Sequence, residues 1–112
     1  MIPLVITEDS NGNRSLEGMR QPSYVDFIKL AANVGATLTV PSGAKHVLFS
    51  QSVNAAFFVR YTSDPITSDI YSATITDGTA AEQNPKFRTL VGVTGMGIIS
   101  TAACNITLSW FG

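Results

Sequence analysis

The clearest periodic stretch of the chain is Cys104–Phe111, C-N-I-T-L-S-W-F. Cys104, Ile106, Leu108 and Trp110 fall on one side of it, and Asn105, Thr107 and Ser109 on the other. Side chains alternate faces along a strand, so the pattern predicts a β-strand with one buried and one wet face; only Phe111 breaks the polar side. The same period recurs upstream. Residues 36–40 alternate and are β-branched, Pro41-Ser42-Gly43-Ala44 is turn chemistry, and residues 45–51 set Val47 and Phe49 against His46, Leu48 and Ser50. The three pieces together predict a β-hairpin. Residues 55–61 are apolar on both faces, with Phe57, Val59 and Tyr61 opposite Ala56 and Phe58. Such a strand is either central or covered by a neighbouring subunit.

Between these strands the pattern loosens. Ser63-Asp64-Pro65 and Asp77-Gly78-Thr79 are turn signals, residues 72–76 predict a short strand, and Phe87, Leu90 and Val91 read as anchors for a long excursion. Gly92, Gly95 and Gly97 do not form a phosphate-binding motif and mark a bulge or a close backbone approach instead. Residues 98–101 and the closing strand complete about six or seven strands. The expected fold is all-β: a small antiparallel β-sandwich, jelly-roll-like.

Residues 1–34 read differently. Ile2, Leu4 and Ile6 suit a short strand, S-N-G-N-R at residues 10–14 is turn chemistry, and residues 24–33 suit two helical turns or an extended segment lying along a neighbour. The expectation is an N-terminal arm over residues 1–34 and a sandwich domain over residues 35–112. A peripheral strand packed on its own domain is the alternative, and the two differ in whether Leu4, Phe27 and Leu30 contact their own chain or another.

Charge narrows the function classes. Charged residues make up 13% of the 112, about half the usual share of roughly 25%. A weakly charged surface does not hold copies apart, which favours an oligomer or assembly subunit. The formal net charge of −1 and the scattered Lys and Arg argue against nucleic acid. No run reaches the ~18 apolar residues of a membrane helix, and residues 2–6 lack the basic start and the length of a secretory signal, so a cytosolic product is expected. With one Cys and one His, no zinc spacing exists, and Cys104 on an apolar face makes a poor nucleophile for pairing with His46. Asp64, Asp69, Asp77 and Glu82 fall in loops and show no calcium-loop array. No enzyme, metal or cofactor is expected.

Five phrases carry a resemblance: L-T-V-P-S-G-A-K-H-V-L-F-S from Leu38, F-F-V-R-Y from Phe57, T-D-G-T-A-A-E-Q-N-P from Thr76, G-V-T-G-M-G-I-I-S from Gly92 and A-A-C-N-I-T-L-S-W-F from Ala102. In this order they resemble the small β-sandwich virion structural proteins of tailed bacteriophages, over residues 35–112. The resemblance implies a non-enzymatic capsid decoration or cement subunit that bridges major capsid proteins. Such a subunit would be made in the host cytoplasm and kept in the virion, as a homo-oligomer with a trimer as first guess. A head–tail or tail accessory protein is the alternative within that group. Candidate interface residues are Leu4, Ile6, Phe27, Leu30, Phe57 and Tyr61, since aromatic anchors dominate interfaces and an arm can add a strand to a neighbour's sheet. A carbohydrate-binding sandwich is the competing reading, with Tyr71 as the loop aromatic.

Overall fold

The computed structural model describes residues 24–112 in full and, before them, the backbone of two short paired strands, β1 (Thr7–Glu8) and β2 (Arg14–Ser15). The other strands are β3 (Tyr24–Leu30), β4 (Ala36–Thr39), β5 (His46–Gln51), β6 (Phe57–Arg60), β7 (Glu82–Gln83), β8 (Phe87–Thr89), β9 (Gly95–Ser100) and β10 (Cys104–Phe111). They form two four-stranded antiparallel sheets, in the orders β3-β10-β5-β8 and β4-β9-β6-β7. We call these the first and the second sheet.

The winding follows one rule. β3 pairs with β10, β4 with β9, β5 with β8 and β6 with β7. The chain is thus one long hairpin rolled up so that successive strand pairs fall in alternate sheets, which is the jelly-roll arrangement of a β-sandwich. From β3 onward, every connection except β6 to β7 crosses from one sheet to the other.

That rule overturns the expected hairpin over residues 36–51. The turn itself forms, with Ala44 N donating to Pro41 O at 3.1 Å. The strands on either side do not pair, because Val40 N donates to Thr94 O while Lys45 N donates to Phe111 O. Each flank takes its hydrogen bonds from a distant strand, so the turn carries the chain across the core.

The core lies between the sheets. Val47, Phe49, Ile106, Leu108 and Trp110 point into it from one side, and Phe57, Val59, Met96 and Ile98 from the other. Phe49 and Phe57 meet across the gap with ring centroids 6.1 Å apart. β10 is buried at alternate positions up to Trp110, as its sequence predicts, and Phe111 is buried as well. The buried Trp110 donates Nε1–H to Asp26 Oδ2 at 2.9 Å, which satisfies the indole and ties β3 to its neighbour. Cys104 is buried against Ser100, with its Sγ 3.3 Å from the hydroxyl that donates to Ala102 O. It pairs with Leu30, whereas His46 pairs with Phe111 at the other end of the strand, so no Cys–His dyad forms.

Tyr24–Leu30 is therefore a strand of the first sheet and not helical turns, and residues 31–34 of the expected arm carry the chain on to β4. The strand expected over residues 72–76 is absent. A short 3₁₀ turn at Ser68–Tyr71 precedes that stretch.

Candidate functional site

The two sheets differ on their outer faces. On the second sheet, the 62–72 segment folds back as a cover. Ile66 is buried over β9, and a Cβ placed on Gly97 would lie 3.1 Å from its side chain. At Gly35 the approach is closer still, since an added Cβ would lie 1.9 Å from Ile66 O, which only glycine permits. Tyr71 packs on Phe58 with centroids 5.1 Å apart, and its hydroxyl donates to Asn33 Oδ1 at 2.5 Å, pinning the cover to the β3–β4 connection. The glycine-rich run read as a close backbone approach is where that approach occurs.

On the outer face of the first sheet, Val25 and Phe27 of edge strand β3 stand 53% and 59% exposed. They lie beside Ser109 and Thr107 of β10, followed by Leu48 and Ser50 of β5. At the far margin His46 stacks on Phe87 at 5.8 Å. Lys29, also on the outward side of β3, is the charged residue of this strip. A strip of aromatic and aliphatic side chains among small hydroxyls, with little charge, is the composition of an interface core.

The expected interface residues separate. Phe27 lies on this exposed strip. Leu30 and Phe57, 5% and 2% exposed, are inside the chain's own core and have no surface to offer. Tyr61 is half-buried at the edge of the core, and Leu4 and Ile6 lie outside the described residues. Val91, expected as an anchor, is exposed, while Leu90 is buried.

A second feature lies where the sheets meet at β7 and β8. Arg88 grips both carboxylate oxygens of Glu82 at 2.8–2.9 Å, and Tyr61 Oη–H donates to Glu82 Oε1 at 2.6 Å. Arg88 and then the tyrosine hydrogen bond hold the Glu82 carboxyl below its ordinary pKa. Burial, with the hydrogen bond to Glu82 adding to it, pushes Tyr61 well above the usual phenol range. Beside this clamp is a cleft of about 380 Å³ lined by Arg60, Tyr61, Asp64, Thr79 and Glu82. Arg60 Nη2 donates to Thr79 O at 2.9 Å, and Asp77 Oδ1 accepts from both the amide and the hydroxyl of Thr79. Sequence reading placed Asp64 and Glu82 in loops with no partners and singled out neither Arg60 nor Thr79. The one local signal was the Asp77-Gly78-Thr79 turn that shapes the cleft wall.

Among the described residues no group of His, Cys, Asp and Glu is arranged to hold a metal ion, and no helix is long and apolar enough to cross a membrane. Comparison with protein-family models, curated proteins and solved structures finds no match for the chain.

Proposed function

We propose that the protein is a non-enzymatic structural subunit of a tailed-phage virion: a capsid decoration or cement protein that docks through the outer face of its first sheet. The observation that carries this reading is the exposed pair Val25 and Phe27 on a seven-residue edge strand. The phrases that carry the virion resemblance fall on β4 to β7, β9 and β10, which build most of both sheets. Covering the remaining exposed part of Phe27 would contribute roughly 1–2 kcal/mol, and an edge strand can add backbone hydrogen bonds to a partner's sheet. The low charge of the chain leaves little electrostatic cost to close packing against a capsid subunit or another copy of itself.

Jelly rolls serve both as capsid modules and as lectins, so the fold alone does not choose between them. The outer strip favours docking, because it exposes Val25 and Phe27 among neighbours of little charge. Mass spectrometry of purified particles tests the proposal. A decoration role predicts hundreds of copies per particle, comparable with the major capsid protein. A dozen or fewer would move the subunit to the head–tail joint or tail, and its absence from particles would end the virion reading.

A further inference from the structure

The strip on the first sheet leaves the cleft beside Tyr61 without a role. We infer that this cleft binds a neutral saccharide unit. Its volume of about 380 Å³ sits at the lower end of small-ligand sites, which span roughly 300–1,000 Å³. That suits one or two sugar rings and is too small for a folded partner.

The lining supplies the two surfaces a sugar presents. The half-buried Tyr61 and the exposed Ala80 offer apolar surface for the C–H face of a ring. Around the rim, Arg60 donates, Asp64 accepts, the Thr62 hydroxyl can do both, and the Thr79 hydroxyl, its proton given to Asp77, accepts. A sugar hydroxyl also donates and accepts, so vicinal hydroxyls can bridge a guanidinium and a carboxylate together.

Charge selects the ligand class. Glu82 is already neutralised by its two-oxygen grip from Arg88. The remaining lining charges, Arg60 and Asp64, are of opposite sign. A net anion would meet Asp64 and a cation would meet Arg60, whereas a polyol satisfies both.

The polar groups are also held in place before any ligand arrives. Tyr61 is fixed by Glu82, Glu82 by Arg88, Thr79 by Asp77 and Arg60 by Thr79. Preorganisation of this kind lowers the cost of binding. Arg60 Nε is the one buried side-chain nitrogen or oxygen among the described residues that lacks a hydrogen-bond partner. A buried N–H left unpaired is costly and calls for an explanation, and a binding role for the guanidinium is one. Arg60 lines the cleft, and its Nη2 is bonded to the carbonyl of Thr79, another lining residue.

Titration of the ¹⁵N-labelled protein with glucose, galactose, N-acetylglucosamine and rhamnose, beside glucuronic acid and inorganic phosphate, tests the inference. At least one neutral sugar is expected to shift the amides of Thr62, Gly78, Thr79 and Ala80 saturably in the millimolar range. The two anions should act more weakly. Asp64→Asn, at an exposed position, should weaken that sugar by about tenfold or more while the rest of the spectrum is unchanged, and Arg60→Gln should do the same. No shift at the four amides with any neutral sugar would overturn the inference. So would an anion binding more tightly than every sugar, or sugar shifts that survive both substitutions. None of these results bears on docking through the first sheet, which stands or falls on particle composition.

Discussion

The outer faces of the two sheets solve the same problem in opposite ways. On the second sheet the outward positions of β9 include Gly95 and Gly97, and the chain's own 62–72 segment settles into the space. Ile66 lies over Gly97 and Tyr71 over Phe58, and every residue of β9 is buried. On the first sheet the outward positions of β3 are Val25, Phe27 and Lys29, beside Ser109, Thr107 and Asn105. Val25 and Phe27 remain exposed. Glycines beneath a cover show a face shaped for its own chain, whereas large apolar side chains set among small hydroxyls show a face from which a partner can still gain burial. An element apolar on both faces, such as β6, is thus explained within the chain, and the surface left for others is on the sheet whose sequence looks most ordinary.

The comparison is broken most severely by removing the cover. Ile66→Ala is expected to cost about 3 kcal/mol, the range for truncating a buried Ile, and urea unfolding would measure it. A cost within about 0.5 kcal/mol, the range of an ordinary surface change, would mean that residues 62–72 are a loop and not a cover. Gly35→Ala acts from beneath, since its Cβ would press on the Ile66 carbonyl, and about 2 kcal/mol is expected for that overpacking. Both changes loosen one segment, so the double variant should lose less than the two losses combined.

Much of this architecture was legible in the sequence, but unevenly. β10 was readable because its polar and apolar positions alternate up to Trp110 and its burial follows the same beat. The turn at Pro41–Ala44 was readable as a turn, but its destination was not: local alternation says which side chains are buried and nothing about which strand supplies the hydrogen bonds. β3 was obscured because its inward side holds Asp26, which is there to accept from Trp110, while Val25 and Phe27 face out. The first half of that strand inverts the usual polarity, and only Ile28, Lys29 and Leu30 follow it. Tyr61, Glu82 and Arg88 meet only because β6, β7 and β8 close one margin of the sandwich. No local spacing encodes that meeting.

That margin gives a smaller effect, and it asks whether the sheets are held together there as well as through the core. Arg88 and Tyr61 lower the Glu82 pKa in the folded state, so the ion pair stabilises the fold above the ordinary Glu value of 4.5 and is lost as pH falls through the lowered one. Both partners are partly exposed, at 46% and 34%, which limits the contribution to about 1 kcal/mol. Glu82→Gln should therefore lower stability by about that amount at neutral pH and by nothing at pH values below both titrations. Melting curves recorded across that acid range should converge for the two proteins. Parallel curves would show that the clamp adds no stability of its own.

The smallest expected stability change is the most informative about the uncovered face. Phe27→Ser removes an aromatic side chain from a strand in the same way that Phe58→Ser would on the other sheet. Phe58 lies beneath Tyr71, so its loss should cost about 2 kcal/mol, while Phe27 is mostly in solvent and should shift stability by no more than about 0.5 kcal/mol. On the proposed docking role, removing Phe27 is instead felt in assembly. The variant should fold as well as the parent yet attach to particles lacking the protein at least tenfold more weakly, since exposed aromatics at an interface centre carry much of its energy. Quantitative rebinding of purified subunit to such particles, beside urea unfolding of the same preparation, separates the two effects. If Phe27→Ser costs as much stability as Phe58→Ser, the first sheet's outer face is covered after all. Unchanged rebinding would place the docking surface somewhere other than β3.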